Sequence, residues 1–278
     1  MAGEAIKLIA GEASDPTRPL PATPVDAAWF DAPVCRNCGS ARDTPFCARC
    51  GQKAAKRFIW RDIARESWDR LHFFELKSLK TLARLVTAPG TVARNYVLGR
   101  RTAYTHPLTL LVALVAVLVL VLAANRYFDF SDFADRDLDR MAERVMAYAN
   151  WSFSLGILAI FLGSWATFRH RCGYNAIEHA ILAVYAQAII LAAIIVNMLP
   201  TLVWGEPDFV AAHRAASQYY LYAIKLAVVA LAYRQFFLLE LRTDWPRLVL
   251  ACLLYAGASW LLLRAYATAV LWLVTATS

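Results

Sequence analysis

Four of the six cysteines stand as Cys35-Arg36-Asn37-Cys38-Gly39 and Cys47-Ala48-Arg49-Cys50-Gly51, a C-x2-C-x8-C-x2-C spacing. Two such knuckles can bring four thiolates to the corners of one tetrahedron, about 2.3 Å from a zinc ion. The glycine after each second cysteine allows a tight backbone turn and lets amides approach the sulfurs. The predicted chemistry is structural zinc binding by Cys35, Cys38, Cys47 and Cys50, a closed site with no open position for a substrate. Residues 34–55 are too few to build a core, so the metal must hold them; structural zinc supplies roughly 10–16 kcal/mol in comparable peptides. Four thiolates around Zn²⁺ leave a charge of about −2, and Arg36, Arg42, Arg49 and Lys53 stand near enough in sequence to offset it. Iron could use the same four sulfurs, and a redox pair or two disulfides would suit other surroundings. Two matched CxxCG units speak for zinc. Cys172 and Cys252 are isolated and are expected to be reduced bystanders.

The elements that carry this module are mostly apolar. Of 278 residues, 59% are hydrophobic and 18% charged, and the mean hydropathy is +0.43. A soluble chain of this size carries roughly 25% charged residues. The fold class expected is an all-α polytopic membrane protein with a small amino-terminal zinc ribbon and interfacial amphipathic helices. About five spans are expected, near residues 108–124, 151–168, 180–199, 219–239 and 248–275. The first is 17 residues without a charge, roughly 26 Å of helix and just enough for a hydrocarbon core. Residues 1–33, with five prolines and no sustained apolar period, read as a disordered tail in which Trp29 and Phe30 are passive. Residues 34–55 are the ribbon, 56–105 basic amphipathic juxtamembrane helices and 106–278 the membrane domain.

Charge sets the orientation. Residues 1–106 hold 17 basic and 10 acidic side chains, and the remainder 12 and 11. A basic stretch before a first span marks the cytoplasmic side and faces anionic lipid head groups. The expectation is a multi-pass protein of the inner (plasma) membrane, amino terminus cytoplasmic and carboxy terminus periplasmic. The loop 125–150, with four arginines and six acids, reads as a solvated, charge-laced helix on the outer face. Membrane lipid accounts for the basic patch, so no nucleic-acid partner is needed to explain it; a protein partner is left open.

Between ribbon and first span, apolar residues at Trp60, Ile63, Ala64, Ser67, Trp68 and Leu71, then Leu76, Leu79, Ala83 and Val86, follow helical stripes. Pro89-Gly90 is expected to break the helix, with a further short helix over 91–98 ended by Gly99. Such basic, aromatic helices suit the interface plane. Gly99, Arg100, Arg101, Tyr104 and Pro107 sit where this region turns into the first span. Gly99 can adopt φ > 0, the arginine forks can hold lipid phosphate or a partner's carboxylate, Tyr104 suits an interface and Pro107 suits a first helical turn. A plain stop-and-insert signal would use the same residues.

Cys35 to Gly51 followed by Gln52, then Thr81 and Pro89-Gly90, then Tyr96-Val97-Leu98-Gly99-Arg100-Arg101 and Tyr104-Thr105-His106-Pro107, resembles an uncharacterised family of bacterial inner-membrane proteins. Its members carry a CxxCG…FCxxCGQ ribbon and a Pro-Gly…Tyr-x2-Gly-[Lys/Arg]-Arg…Tyr-x2-Pro stretch leading into the first span. The resemblance covers about residues 34–125. It implies a membrane domain of unknown function with a zinc-ribbon head and no established activity.

Ionisable groups inside spans are functional candidates by default. Here they are Glu178, His179, Lys225, Arg234 and Arg264. Glu178, His179 and Arg234 stand near span ends, where they could snorkel or where Glu178 could pair with Arg234. There is no HExxH, no GxGxxG and no phosphate loop; Gly257-Ala258-Ser259 lacks the following glycine of a serine-hydrolase elbow. A non-enzymatic membrane protein whose ribbon recruits or senses a partner is the first expectation. A small-molecule or ion transporter is the alternative, and an intramembrane enzyme the weaker one.

Overall fold

A computed structural model of the chain describes residues 27–59, 76–125 and 152–276. Among these it has eight helices: α1 Ala27–Asp31, α2 Leu76–Thr87, α3 Pro89–Val97, α4 Pro107–Ala124, α5 Ser152–Phe168, α6 Ala176–Val203, α7 Pro207–Phe236 and α8 Leu241–Ala276. No named strand occurs among the described residues, only the isolated antiparallel bridges Val34–Ala41 and Phe46–Lys53. The helix expected over 60–71 and the charged loop 126–150 lie outside the described residues, as does most of the expected tail.

Four helices are long and apolar enough to cross a membrane, over Pro107–Ala124, Ala176–Val203, Asp208–Phe236 and Leu241–Val270. The remaining expected span coincides with α5, an apolar helix of 17 residues, about 26 Å long. The fourth expected span starts earlier than its apolar run suggests: α7 begins at Pro207, whose missing N–H costs nothing at a first helical position. The segment around Arg264 is unbroken, and α8 runs through it for 36 residues.

The helix α6 is the centre of the bundle, touching α2, α3, α4, α5 and α7. Leu182, Ala183, Tyr185, Ala186, Ala188 and Leu191 on it are all fully enclosed. One face of α4, through Leu110, Leu114, Leu118 and Leu122, packs inward at helical spacing. The outermost helix, α8, lies on α5 and α7. Gly163 lets α5 close against them: an added Cβ would stand 2.8 Å from Tyr233 Oη and 2.9 Å from the Ala251 carbonyl. Tyr233 in turn donates to the Ile160 carbonyl at 2.6 Å. The outward face of α8 presents Trp245, Leu253, Trp260, Leu261 and Trp272, a surface suited to lipid tails.

The α5–α6 and α7–α8 connections lie side by side at one end. Arg171 holds them together, donating to the Phe237 carbonyl at 2.8 Å and gripping both oxygens of Asp244 at 3.1 and 2.9 Å. The cysteine module caps this same end. At the other, Thr201 donates to Asn125 Oδ1 at 2.6 Å.

Two local expectations are corrected. Pro89 and Gly90 do not merely break a helix but start α3, with Pro89 in its first turn. Gln235 of α7 caps that start: its Oε1 accepts from the Gly90 amide at 3.1 Å, and its Nε2 donates to the Thr87 carbonyl at 3.0 Å. Gly90 is also pressed against α7, where a Cβ would stand 2.7 Å from Phe236 N. The helix α3 itself does not lie with an open face at an interface. Val92, Ala93, Tyr96 and Val97 are buried, and it packs on α6 and α7.

Candidate metal centre and its seat on the bundle

The module is a ten-residue unit used twice, twelve positions apart: Pro33-Val34-Cys35 through Arg42, and Pro45-Phe46-Cys47 through Ala54. In the first copy Cys35 N donates to Ser40 O at 2.8 Å, Gly39 N to Cys35 O at 2.8 Å and Arg42 N to Pro33 O at 3.0 Å. In the second, Cys47 N donates to Gln52 O at 2.9 Å, Gly51 N to Cys47 O at 2.8 Å and Ala54 N to Pro45 O at 2.8 Å. Gly39 and Gly51 have φ of 76° and 70°, the left-handed turn that glycine adopts without strain.

The two knuckles face one another. Sγ of Cys35 is 3.6 Å from Sγ of Cys50, Sγ of Cys38 is 3.5 Å from Sγ of Cys47, and all four sulfurs lie within 4.8 Å of one another. A tetrahedron with metal–sulfur bonds of 2.3 Å has edges of about 3.8 Å. The four cysteines are free rather than bridged and could together hold a metal ion. Burial pushes the Cys35 thiol up to about 12. Burial opposes ionisation of Cys38 too, but hydrogen bonds from the Ser40 side chain and backbone and from the neighbouring cysteines outweigh it and bring that thiol down to about 6. A metal therefore finds the Cys38 thiol inclined to ionise and must displace the proton from Cys35.

The module is seated on the bundle by residues around its cysteines. Gln52, the residue after Cys50-Gly51, is buried and reaches the segment that leads into α4. Its Nε2 donates to the Gly99 carbonyl at 2.7 Å, while its Oε1 accepts from the Arg101 and Thr102 amides, each at 3.1 Å, and from Thr102 Oγ1 at 3.0 Å. Gly99 has φ of 106°, and a Cβ there would lie 2.9 Å from that of Ala55 and 3.0 Å from that of Arg36. It is needed both for its backbone conformation and for the close approach of the ribbon. Arg36, inside the first knuckle, lays its guanidinium 3.8 Å from the Trp29 ring centre and donates to the Trp29 carbonyl. The Trp29 indole N–H reaches the Leu98 carbonyl at 3.2 Å. The tail therefore ends in an ordered anchor, with Phe30 buried beside it.

Beyond the ribbon, residues 55–59 run across the bundle end. Phe58 stacks on Tyr96 of α3 with centroids 5.8 Å apart, and Arg101 covers the other ring neighbourhood at 3.7 Å from the Phe58 centroid while donating to the Lys56 carbonyl. The Phe58 carbonyl accepts from Asn175 Nδ2 at 3.1 Å. Arg57 meets Glu178 at 3.2 Å and also donates to the Gly173 carbonyl.

The lead-in residues thus differ from expectation. Arg100 and Arg101 are turned inward, 8% and 9% exposed, and Arg101 serves the ribbon tail rather than an open lipid surface. The Tyr104 hydroxyl accepts from Asn95 at 2.9 Å and Arg84 at 3.3 Å, so it too is internal. Pro107 opens α4 as expected. Of the polar residues in spans, Glu178 and His179 are enclosed at the ribbon end. Glu178 pairs with Arg57, not with Arg234, which is exposed. His179 Nδ1 is 3.0 Å from Ser164 Oγ, itself bonded to the Phe161 carbonyl at 2.9 Å. Lys225 is half-buried on α7, and Arg264 is exposed beside Trp260, 5.2 Å from its ring. The described hydrogen bonds and ion pairs do not link Lys225, Arg234 or Arg264 to one another or to Glu178 and His179. Cys172 sits in the α5–α6 turn, its thiol pushed up by burial.

Sequence reasoning missed Trp29, Arg57 and Phe58 as parts of the site. One signal was readable: Asn175-x-x-Glu178 is a capping box, and the structure forms both of its bonds.

A family model described as "Protein of unknown function (DUF3667)" matches residues 77–119, which carry Pro89-Gly90, Gly99-Arg100-Arg101, Tyr104 and Pro107. No curated protein and no solved structure matches the chain.

Proposed function

We propose that this is a non-enzymatic inner-membrane protein in which a structural zinc ribbon, seated on the cytoplasmic end of the helical bundle, presents its outer knuckle to a protein partner. The observation that carries this reading is the two-sided character of the ribbon. Its inner side, through Arg36, Gln52 and Ala55, is bound to the bundle. Its outer side leaves Phe46 57% exposed, with Ala48, Arg49 and Lys53 exposed around it. The exposed Phe46 ring between the Arg49 and Lys53 cations is what that side offers a partner, since an aromatic and an arginine are the usual anchors of a protein interface.

Zinc is supported by the sulfur spacing, the closed four-cysteine donor set and the paired knuckles. Sidedness is supported by exposed cations gathered at the ribbon end, Lys56, Lys80, Arg169, Arg234, Arg242 and Arg247, which suit the anionic lipid of a cytoplasmic leaflet. Among the described residues no catalytic constellation accompanies the metal site, and the span cations do not converge on a path.

A photoreactive amino acid at position 46 or 49 tests the reading in native membranes. A discrete crosslinked protein is expected from both positions, lost in a Cys38→Ser/Cys50→Ser variant that still inserts. No crosslink from either position in a normally inserted, zinc-loaded protein would contradict it.

A further inference from the structure

We propose that Gln52 makes the ribbon a zinc-dependent latch, so that metal occupancy controls whether residues 101 and 102, with the Arg101 side chain, are held inside the protein or released towards the membrane face. The inference rests on the reading of the cysteine module as a zinc site, but not on the existence of a partner.

The two copies of the knuckle differ in the residue that follows the second cysteine and its glycine. Ser40 and Gln52 occupy equivalent places after Cys38-Gly39 and Cys50-Gly51. Ser40 turns back, its Oγ 3.4 Å from Sγ of Cys38. Gln52 turns away from its knuckle into the bundle end and makes four hydrogen bonds to the lead-in segment. Its backbone is part of the second knuckle, since its carbonyl accepts from the Cys47 amide at 2.9 Å. The side chain is therefore aimed by the knuckle, and each knuckle has one isolated bridge and three backbone hydrogen bonds to hold its shape without metal.

The segment it holds depends on it. The Arg101 and Thr102 amides have Gln52 Oε1 as their acceptor, whereas the flanking residues are fixed by the bundle. The Arg100 amide donates to the Asn95 carbonyl at 2.9 Å. Downstream, the Thr105 carbonyl accepts from Tyr185 of α6 at 2.7 Å, and the Thr105 amide donates to Thr81 at 3.0 Å. Loss of the ribbon's shape would free the short stretch between two fixed points without unfolding the bundle. Arg101 lies in that stretch, and in the latched state it is buried, its guanidinium on the Phe58 ring and the Lys56 carbonyl of the ribbon's tail. Release would add an arginine fork to the exposed cations already at this end, strengthening its contact with anionic head groups.

Amide hydrogen exchange of the full-length protein in nanodiscs of phosphatidylethanolamine and phosphatidylglycerol, resolved to single residues by fragmentation, tests this. Zinc-loaded protein should protect Arg101 and Thr102. Stripping zinc with a chelator should speed exchange at both by roughly tenfold or more, leaving Arg100 and Thr105 unchanged. Gln52→Ala should give the same acceleration while still binding one zinc, and chelation should then add nothing further. Equal exchange at Arg101 and Thr102 with and without zinc overturns the latch, as does failure of the protein to take up zinc. Should Gln52→Ala lose zinc, the wild-type comparison alone decides. Should position 46 yield no crosslink while exchange responds to zinc, the partner is refuted and the latch stands.

Discussion

Arg57 and Glu178, 121 positions apart in sequence, meet at 3.2 Å where the tail of the ribbon crosses the start of α6. The same carboxylate accepts from the Asn175 amide at 2.7 Å, while Asn175 Oδ1 accepts from the Glu178 amide at 2.9 Å. One buried acid thus closes the first turn of the central helix and ties the ribbon tail to it.

Separating these two roles needs two substitutions. Glu178→Gln keeps a side chain that can complete a capping box but removes the charge. Because Arg57 is partly exposed and can turn to water, a loss of only about 1 kcal/mol is expected. Glu178→Ala removes cap and charge together, and about 2–3 kcal/mol should go. Thermal unfolding in one detergent ranks the two; equal losses would mean the capping bond contributes nothing, and no loss in Glu178→Gln would mean the same of the ion pair.

Gly99 carries the close approach of ribbon to bundle. Gly99→Ala must strain φ of 106° and push against Ala55 and Arg36, so about 1–3 kcal/mol should be lost. Gly257→Ala on α8 meets nothing within 4 Å and should be neutral or stabilising by up to about 1 kcal/mol. The pair, compared by the same unfolding measurement, distinguishes the ribbon seat from a general sensitivity of the bundle to added methyl groups.

What the sequence made legible was local or periodic. The C-x2-C-x8-C-x2-C spacing sets the turn at each knuckle within five residues, and long apolar runs mark spans whatever their neighbours. Pro107 and Gly99 also announce a helix start and a helix end by backbone chemistry alone. Pairings across the fold were not legible. Nothing near Gln52 says that it will bond a backbone 47 positions away, and the sequence offers Arg234 as the cation for Glu178 where the fold brings Arg57 from 121 positions away. The inward turn of Arg100 and Arg101 was hidden for a related reason: an arginine beside a span reads as a lipid contact until the aromatic ring and carbonyl that receive it, Phe58 and Lys56 for Arg101, are brought there by the ribbon.

Metal uptake should release protons. With Cys35 pushed up to about 12 in the metal-free protein, its thiol is neutral at pH 7, and binding must expel at least that proton. Affinity should therefore rise with pH and fall in acid as thiolates are protonated. Calorimetry of zinc binding in buffers of different ionisation enthalpy checks this; a proton count of zero at pH 7 would contradict it.

Arg264 on the outward face of α8 should be dispensable for folding. Arg264→Leu is expected to change unfolding by less than about 0.5 kcal/mol and to leave membrane insertion intact. A large loss would show that α8 packs against something other than lipid on that side.

Elemental analysis of the purified full-length protein tests the central claim most directly, because the seat of Gln52, the latch and the outer knuckle all rest on one metal-held ribbon. One zinc per chain is expected, falling to none in a Cys38→Ser/Cys50→Ser variant that still inserts in the membrane. Iron in place of zinc, or a zinc content unchanged in that variant, would contradict the account.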